Sequence, residues 1–449
     1  MKLLNILRKK IKKVRSGWHA ESTLRGRLKN ITHLLTGNFA SAFIGLVGFA
    51  LTARALGPAD YGLLALSFAY VRGIERFVSF RSWQPLIKYG ALALETGDSE
   101  RLKALFKLGL LIDLATAFLG WGLAVLIVLL AGPLFGISDE MSRLVLIYCA
   151  VLPLQVTGMP TAVMRLYGRF KILAYGQVAA SSLRTLLCIA GVYLGWGLFE
   201  FLVLWMASQI CGSINRNLWA FREIRRQGLH DVMRVPLGDI RSRFPGFWSF
   251  SFQSNVAPII QACAFEFDTL LVGYLADPVS AGLYHIAKRV AKIAQQAGEQ
   301  VQAVLYPDLA RAWATQEITE FRKTVNQTGW LLFGFGLFAL FTAQLSIEWI
   351  LRMTAGSEFV AAAPLVVTQF GAVIMLLCSR TLFSALLAMG HEKAALQSIL
   401  LSGILFLVTA LMLLPKIGAL GANVAHIVMS STWFVQMAIA YRRRLTRGS

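Results

Sequence analysis

Residues 51–66 read Leu51-Thr-Ala-Arg-Ala-Leu-Gly57-Pro58-Ala-Asp-Tyr-Gly62-Leu-Leu-Ala-Leu66, and the same run continues past Arg72, Glu75 and Arg76 to Arg81. Its first part closes one apolar helix, turns at Gly57-Pro58 and restarts a second. Proline presets φ and glycine tolerates angles closed to other residues, so the pair suits a tight connection. The second helix carries four ionisable side chains in a segment of spanning length. Charges at membrane depth are costly and face a bundle interior or a watered cavity. The stretch therefore predicts a helix that lines a cationic chamber.

The rest of the 449-residue chain fits that reading. It is 56% hydrophobic and only 15% charged, well below the roughly 25% charge of soluble domains. Apolar runs near the ~20 residues a bilayer core demands recur throughout. The expected fold is an all-α polytopic membrane protein with about twelve transmembrane helices. They lie near 34–55, 61–84, 105–131, 142–163, 174–194, 197–219, 246–275, 280–304, 324–350, 359–388, 395–414 and 418–440. The net charge of +21 would suggest nucleic acid in a soluble protein. Here 32 of the 44 Lys and Arg residues fall on one set of alternate connections and the termini, and three, Arg143, Arg352 and Lys416, on the other set. That asymmetry explains the charge without nucleic acid, and by the positive-inside rule it places both termini in the cytoplasm. The opposite loops, 57–60, 195–197, 276–280 and 415–418, are too short to hold a soluble domain.

The longest connection falls midway, dividing the chain into a lobe at 34–219, a linker at 220–245 and a lobe at 246–441, with a basic tail at 442–449. An internal repeat supports the division. Leu56-Gly-Pro-Ala-Asp-Tyr-Gly62-Leu63 aligns with Leu275-Ala-Asp-Pro-Val-Ser-Ala-Gly282-Leu283 with one residue inserted. Continuing that register sets Arg72 opposite Lys292. Tyr167-Gly168-Arg169-Phe170-Lys171 echoes Met389-Gly390-His391-Glu392-Lys393 at the end of the fourth span of each half. Six spans per half is an even number, so the halves share one orientation about an axis along the membrane normal.

Residues 1–33 form a basic amphipathic arm. Leu3, Leu4, Leu7, Ile11, Val14 and Trp18 recur at helical spacing among lysines and arginines, a pattern suited to anionic membrane lipids. The five cysteines, Cys149, Cys188, Cys211, Cys263 and Cys378, sit inside apolar runs without a CxxC pair and read as small buried hydrophobes, not as metal ligands. The chain shows no P-loop and no HExxH motif.

Arg54-Ala-Leu-Gly-Pro-Ala-Asp-Tyr-Gly62 resembles the first hairpin of bacterial polysaccharide (O-antigen-type) flippases. Phe267-Asp268-Thr-Leu-Leu-Val-Gly-Tyr-Leu275, followed by Ala281-Gly-Leu-Tyr-His-Ile-Ala-Lys-Arg289, resembles their seventh and eighth helices. The resemblance extends over nearly the whole chain in span number and spacing. Those flippases belong to the multidrug/oligosaccharidyl-lipid/polysaccharide exporter superfamily. The resemblance implies two pseudo-symmetric six-helix lobes around a central V-shaped cavity, alternating access, and a place in the bacterial cytoplasmic (inner) membrane. It implies a lipid-linked oligosaccharide on undecaprenyl diphosphate as substrate, moved from the inner to the outer leaflet, with a polysaccharide polymerase and export machinery as partners. The long basic arm departs from the family's usual short N-terminus.

A substrate of that class has an anionic linker, a polar head and an apolar tail. Arginine suits the linker because its planar fork donates two parallel hydrogen bonds to phosphate. The candidates are Arg72 and Arg76 on span 2, Arg184 on span 5, Lys288, Arg289 and Lys292 on span 8, and Arg380 on span 10. Arg81, near the inner end of span 2, also reads as a residue that snorkels to headgroups. On span 8, Lys288, Lys292, Gln295, Glu299 and Gln302 recur at steps of four and three, and a polar stripe on a spanning helix must face protein or water. Gln295 and Gln302 are candidates for the glycan. The competing reading of the stripe is an inter-helix seam that only holds the lobe together. His285, Asp268 and Glu299 are candidates for coupling to a proton or sodium gradient, or to the membrane potential; no cofactor is implied. Glu266-x-Asp268 resembles a sugar-nucleotide DxD motif but lies in an apolar helix, out of reach of a nucleotide–metal complex.

Three other functions compete. A glycan polymerase or ligase needs outer loops of some size, which are missing here. A drug or cation exporter of the same superfamily wants carboxylates in its chamber, whereas spans 2 and 8 are net positive. A peptidoglycan-precursor flippase would share the lipid diphosphate and stays open.

Overall fold

In the computed structural model the backbone is described for residues 2–78, 80, 82–131, 138–238 and 240–445. The side chains of 2–31, of 256–265 and of scattered positions, most of them between 297 and 314, lie outside the described residues. The amphipathic arm is thus seen only as backbone, continuous with the first span.

Among the described residues the regular elements are helices. They are α1 (Lys2–Val78), α2 (Trp83–Glu95), α3 (Ser99–Ala131), α4 (Asp139–Cys149), α5 (Gly158–Leu166), α6 (Phe170–Tyr193), α7 (Leu198–Arg226) and the short α8 (Ile240–Arg243). The second half holds α9 (Phe247–Leu275), α10 (Pro278–Ala314), α11 (Ile318–Thr354), α12 (Ala363–Ala388), α13 (Glu392–Ile417) and α14 (Ala419–Leu445). Nine stretches among the described residues are long and apolar enough to cross a membrane. The first of them, Thr36–Val78, is two legs joined where Gly57 takes φ 72°, ψ 173°. The charged α10 and its neighbour α9 fall outside the nine. On α11, Trp330, Phe338, Phe341 and Leu345 stand exposed. A contiguous apolar face of that kind is at home against lipid, not water.

The repeat read from the sequence is a contact in space. Gly62 and Gly282 face each other where the two hairpins meet. A Cβ on Gly62 would lie 1.9 Å from the carbonyl oxygen of Pro278, and one on Gly282 would lie 2.7 Å from the carbonyl oxygen of Pro58. Each glycine of the repeat thus rests on the partner hairpin's proline carbonyl. Just below, the Tyr61 hydroxyl lies 2.8 Å from His285 Nδ1, a buried bond between α1 and α10.

The structure departs from the sequence reading at three places. The segment 85–104, read as a connection, begins with helix α2, which buries Leu86, Tyr89 and Ala93 and ends before Gly97 at φ 68°. Thirteen residues are too few to span, so a search for spans passes over it. The span expected at 142–163 is broken: α4 ends at Cys149, a 3-10 turn covers Leu152–Leu154, and α5 starts at Gly158. Pro153 lacks an N–H and disfavours helix in the residue before it. Third, the segment read as a linker at 220–245 starts inside α7, which runs to Arg226, and then packs against the first half. Leu229, Val232 and Phe244 bury against Leu86 and Phe106, and Tyr89 Oη donates to the Pro245 carbonyl at 2.8 Å.

Candidate functional site

A cavity of about 670 Å³ lies between the first leg of α1, helices α5, α6 and α7 on one side, and α10 on the other. Both halves contribute, and the lining reaches Arg165 and Ile172 beside the turn between α5 and α6. Five cations line it: Arg165, Arg184, Arg216, Arg289 and Lys292. Between them stand the amides of Asn38, Gln155, Gln177, Gln209, Asn215 and Gln296. Cations with amides, and among the described residues no lining carboxylate, make a site for an anion that carries hydroxyl groups.

Two of the cations are held by aromatic rings. The Arg184 guanidinium lies 4.4 Å from the Trp205 ring centroid, Trp205 lies 4.1 Å from Phe49, and the Arg289 guanidinium lies 4.1 Å from Phe49. Two buried rings from the first half therefore carry one arginine from each half. Ring faces attract cations while leaving guanidinium N–H groups free to donate. Among the described residues neither arginine forms an ion pair, and Arg184 Nε is buried without a hydrogen-bond partner. Arg289 Nε lies 3.3 Å from His285 Nε2. Arginine can only donate, so Nε2 accepts, and His285 is the neutral tautomer whose Nδ1–H points to Tyr61.

The face that α10 turns to the cavity carries Arg289, Lys292 and Gln296. The expected stripe ran through Lys288, Lys292 and Gln295, one register away. Lys288 is drawn off by Asp268, with Nζ 2.5 Å from Oδ1. Asp268 is fully buried, and its other oxygen accepts from Tyr284 at 2.8 Å and pairs with His426 Nε2 at 2.9 Å. One carboxylate thus ties α9, α10 and α14 together. Gln295 and Arg380 are half-buried and are not part of the cavity lining. The side chains of Glu299 and Gln302, and Arg81 entirely, lie outside the described residues.

Arg72 stands half-buried behind the wall, and its charge acts on Arg184, Arg289 and Lys292. Arg76 opens instead into a second cavity of about 300 Å³, which shares Gln155, Thr161 and Arg216 with the first. Sequence reading assigned Arg165 and Arg216 to connections, but each extends from a helix into the larger cavity. It also passed over Gln155 and the Phe49–Trp205 pair. The Pro153 and Pro160 signals around Gln155 were available; the aromatic pair, 156 positions apart in the chain, carried none. Among the described residues no group of three His, Cys, Asp or Glu side chains is placed to hold a metal ion. Cys149, Cys188 and Cys378 are buried and free, Cys211 is exposed, and Cys263 lies outside the described residues.

The fold is shared with solved multi-pass transporters. A solved lipid II flippase MurJ in an inward closed conformation superposes with a TM-score of 0.70 at 15% identity, covering 92% of this chain and 89% of that one. An inward-facing multidrug resistance MATE family transporter of the MOP superfamily superposes with a TM-score of 0.66 at 13% identity, covering 93% and 95%. Within that fold the chain belongs to the polysaccharide biosynthesis protein family, whose model matches residues 27–313. It is also 27% identical over 297 residues to the inner membrane protein YghQ of Escherichia coli (strain K12), covering 66% of this chain and 83% of that protein.

Proposed function

We propose that the protein flips an undecaprenyl-diphosphate-linked oligosaccharide across the bacterial inner membrane by alternating access. The reading rests on one observation above the others: Arg184 and Arg289, one from each half, are stacked on Trp205 and Phe49 and line a shared cavity. Arg184, Arg289 and Lys292 hold the diphosphate, with the charge of Arg72 behind them. The surrounding amides meet the sugar hydroxyls, and the prenyl tail stays in lipid. Both termini and the α5–α6 turn face the cytoplasm, so the cavity loads from the inner leaflet. Membership of the polysaccharide biosynthesis family and likeness to an inner membrane protein support this substrate class and location. The likeness to a lipid II flippase supports a second reading, a peptidoglycan precursor, which carries the same lipid diphosphate. An organic cation, as for a multidrug exporter, meets five like charges in the lining.

The test is binding of undecaprenyl diphosphate to the purified protein in lipid nanodiscs. A charge-assisted hydrogen bond contributes about 1.5–3 kcal/mol, so Arg184→Ala and Arg289→Ala should each weaken binding about 10- to 150-fold. Competition between lipid II and a lipid-linked surface glycan separates the two glycan readings. Unchanged binding in a folded Arg184→Ala, Arg289→Ala double variant overturns the anionic-substrate reading. Thiol labelling in intact cells tests the orientation: a cysteine at Ser280 should react with an impermeant reagent, and one at Gln227 should be shielded.

A further inference from the structure

The smaller cavity sits behind the break in the fourth span. Broken helices are tolerated at membrane depth where the freed backbone is satisfied or lines a cavity, and such breaks often mark a binding site. Here the free backbone is largely accounted for. Asp113 of α3 accepts from the Met159 N–H at 2.6 Å and from the Ser82 hydroxyl at 2.5 Å. Asn217 of α7 donates to the Val156 carbonyl at 2.9 Å. A Cβ on Gly158 would lie 2.0 Å from Ser82 Oγ and 2.5 Å from Asp113, so only glycine fits this clasp. The break is built to a set shape, and it aims Gln155 and Thr157 at the cavity.

The two cavities divide the polar chemistry between them. In the larger one the charged lining among the described residues is cationic. The smaller one is lined by the carboxylates Glu75 and Asp113, the guanidiniums of Arg76 and Arg216, the hydroxyls Thr116, Thr157 and Thr161, and the Gln155 amide. Gln155 donates to Gln209 at 3.1 Å, yet its own carbonyl oxygen is buried with no hydrogen-bond partner. A buried acceptor left open is costly unless something donates to it. No hydrogen bond or ion pair ties down the Glu75 carboxylate among the described residues. An open carboxylate beside an open amide carbonyl accepts hydroxyl protons and repels a phosphate. At about 300 Å³ the space is at the small end of ligand pockets, suited to one sugar ring with its substituents.

We infer that this cavity is a glycan subsite: it takes the first, uncharged sugar of the lipid-linked substrate while the adjoining cationic cavity takes the diphosphate. The inference rests on the proposed function and adds to it a division of labour. Gln155, Thr161 and Arg216, common to both cavities, mark the glycosidic junction. The mixed lining also favours one register, because a diphosphate in the side cavity would meet two carboxylates beside its two arginines, whereas the five charges lining the larger cavity are cations.

The test compares two probes on the full-length protein in nanodiscs: bare undecaprenyl diphosphate, and undecaprenyl diphosphate carrying one N-acetylhexosamine. The glycosylated probe should bind on the order of tenfold tighter to the wild type. In Glu75→Gln and Gln155→Leu that advantage should vanish. Glu75→Gln should also bind the bare probe more tightly than wild type, because a negative charge beside Arg76 and Arg216 is gone. A merely structural role cannot produce that opposite pair of shifts, and thermal melting of each variant checks folding. Equal affinity of the wild type for both probes overturns the subsite, as does proportional weakening of both probes in the two variants. Failure of Arg184→Ala to weaken either probe instead overturns the diphosphate reading on which the subsite rests.

Discussion

Replacing Gly62 by alanine tests the contact between the two hairpins. Gly62 and Gly282 both sit in helices without positive φ, so alanine improves local helix propensity by up to about 1 kcal/mol. Any loss must come from packing. A carbon and a carbonyl oxygen in close contact sit about 3.3 Å apart. The new Cβ of Gly62→Ala would stand at 1.9 Å from the Pro278 oxygen, so the hairpins must part by roughly 1.4 Å. For Gly282→Ala the distance to the Pro58 oxygen is 2.7 Å, and the required opening is only about 0.6 Å. Both obstructions are backbone, which cannot swing aside as a side chain does. Overpacking of this kind costs about 1–3 kcal/mol, and it acts only on the state in which the hairpins touch. The population of that state should fall about 5- to 150-fold against the separated one, with Gly62→Ala the more severe. Spin labels at Ala59 and Val279, on the two hairpin tips, report the separation by pulsed dipolar spectroscopy. The distance distribution should move outward in Gly62→Ala and less so in Gly282→Ala, with thermal stability nearly unchanged. An unmoved distribution in a folded Gly62→Ala protein refutes the idea that this contact holds the hairpin end shut.

Asp268→Asn removes the carboxylate that Lys288 and His426 share; breaking a buried pair costs about 3–5 kcal/mol, read as a large drop in melting temperature. Phe49→Leu removes the ring under Arg289 without touching a charge. Cation–π contacts run from about 0.5 to 2 kcal/mol, so diphosphate affinity should fall a few-fold to about 30-fold in a titration of the folded variant. Gly158→Ala should disturb the Ser82–Asp113 clasp and lower thermal stability, whereas Gly122→Ala, with open space around its Cβ position, should be silent in the same melt.

Much of this architecture was legible in the chain itself. Hydropathy located most of the long helices within a few residues, and the Gly62/Gly282 repeat named two positions that turn out to touch. Periodicity puts a polar stripe on α10 through Lys288, Lys292 and Gln295, whereas the face lining the cavity carries Arg289, Lys292 and Gln296. That face is decided by Asp268, which captures Lys288 from a different helix and leaves Arg289 to turn inward. No spacing within one helix encodes a pairing with another. Arg216 was missed for a related reason: it lies past the apolar part of α7, where charge reads as loop, although the helix continues to Arg226. The broken fourth span was announced by Leu152-Pro153 and Gly158-Met-Pro160, yet an apolar average over that window hides the interruption. The amphipathic arm stays an expectation drawn from its pattern of leucines and lysines.

The stacked arginines have a consequence for the transport cycle as a whole. Their rings fix the two guanidiniums in place, but rings do not neutralise charge. Among the described residues of the lining the charges are cationic, Arg184 from one half and Arg289 and Lys292 from the other, so in the empty protein they repel across the chamber, and the nearby Glu266 carboxylate offsets part of that repulsion. An anion reverses the sign of that force and draws the walls towards it. Cargo then acts as the mortar of its own compartment: a loaded chamber can contract around a diphosphate, while an unloaded one is propped open. On the proposed function this bias works against futile cycling, because the unloaded chamber favours the open arrangement in which lipid can enter.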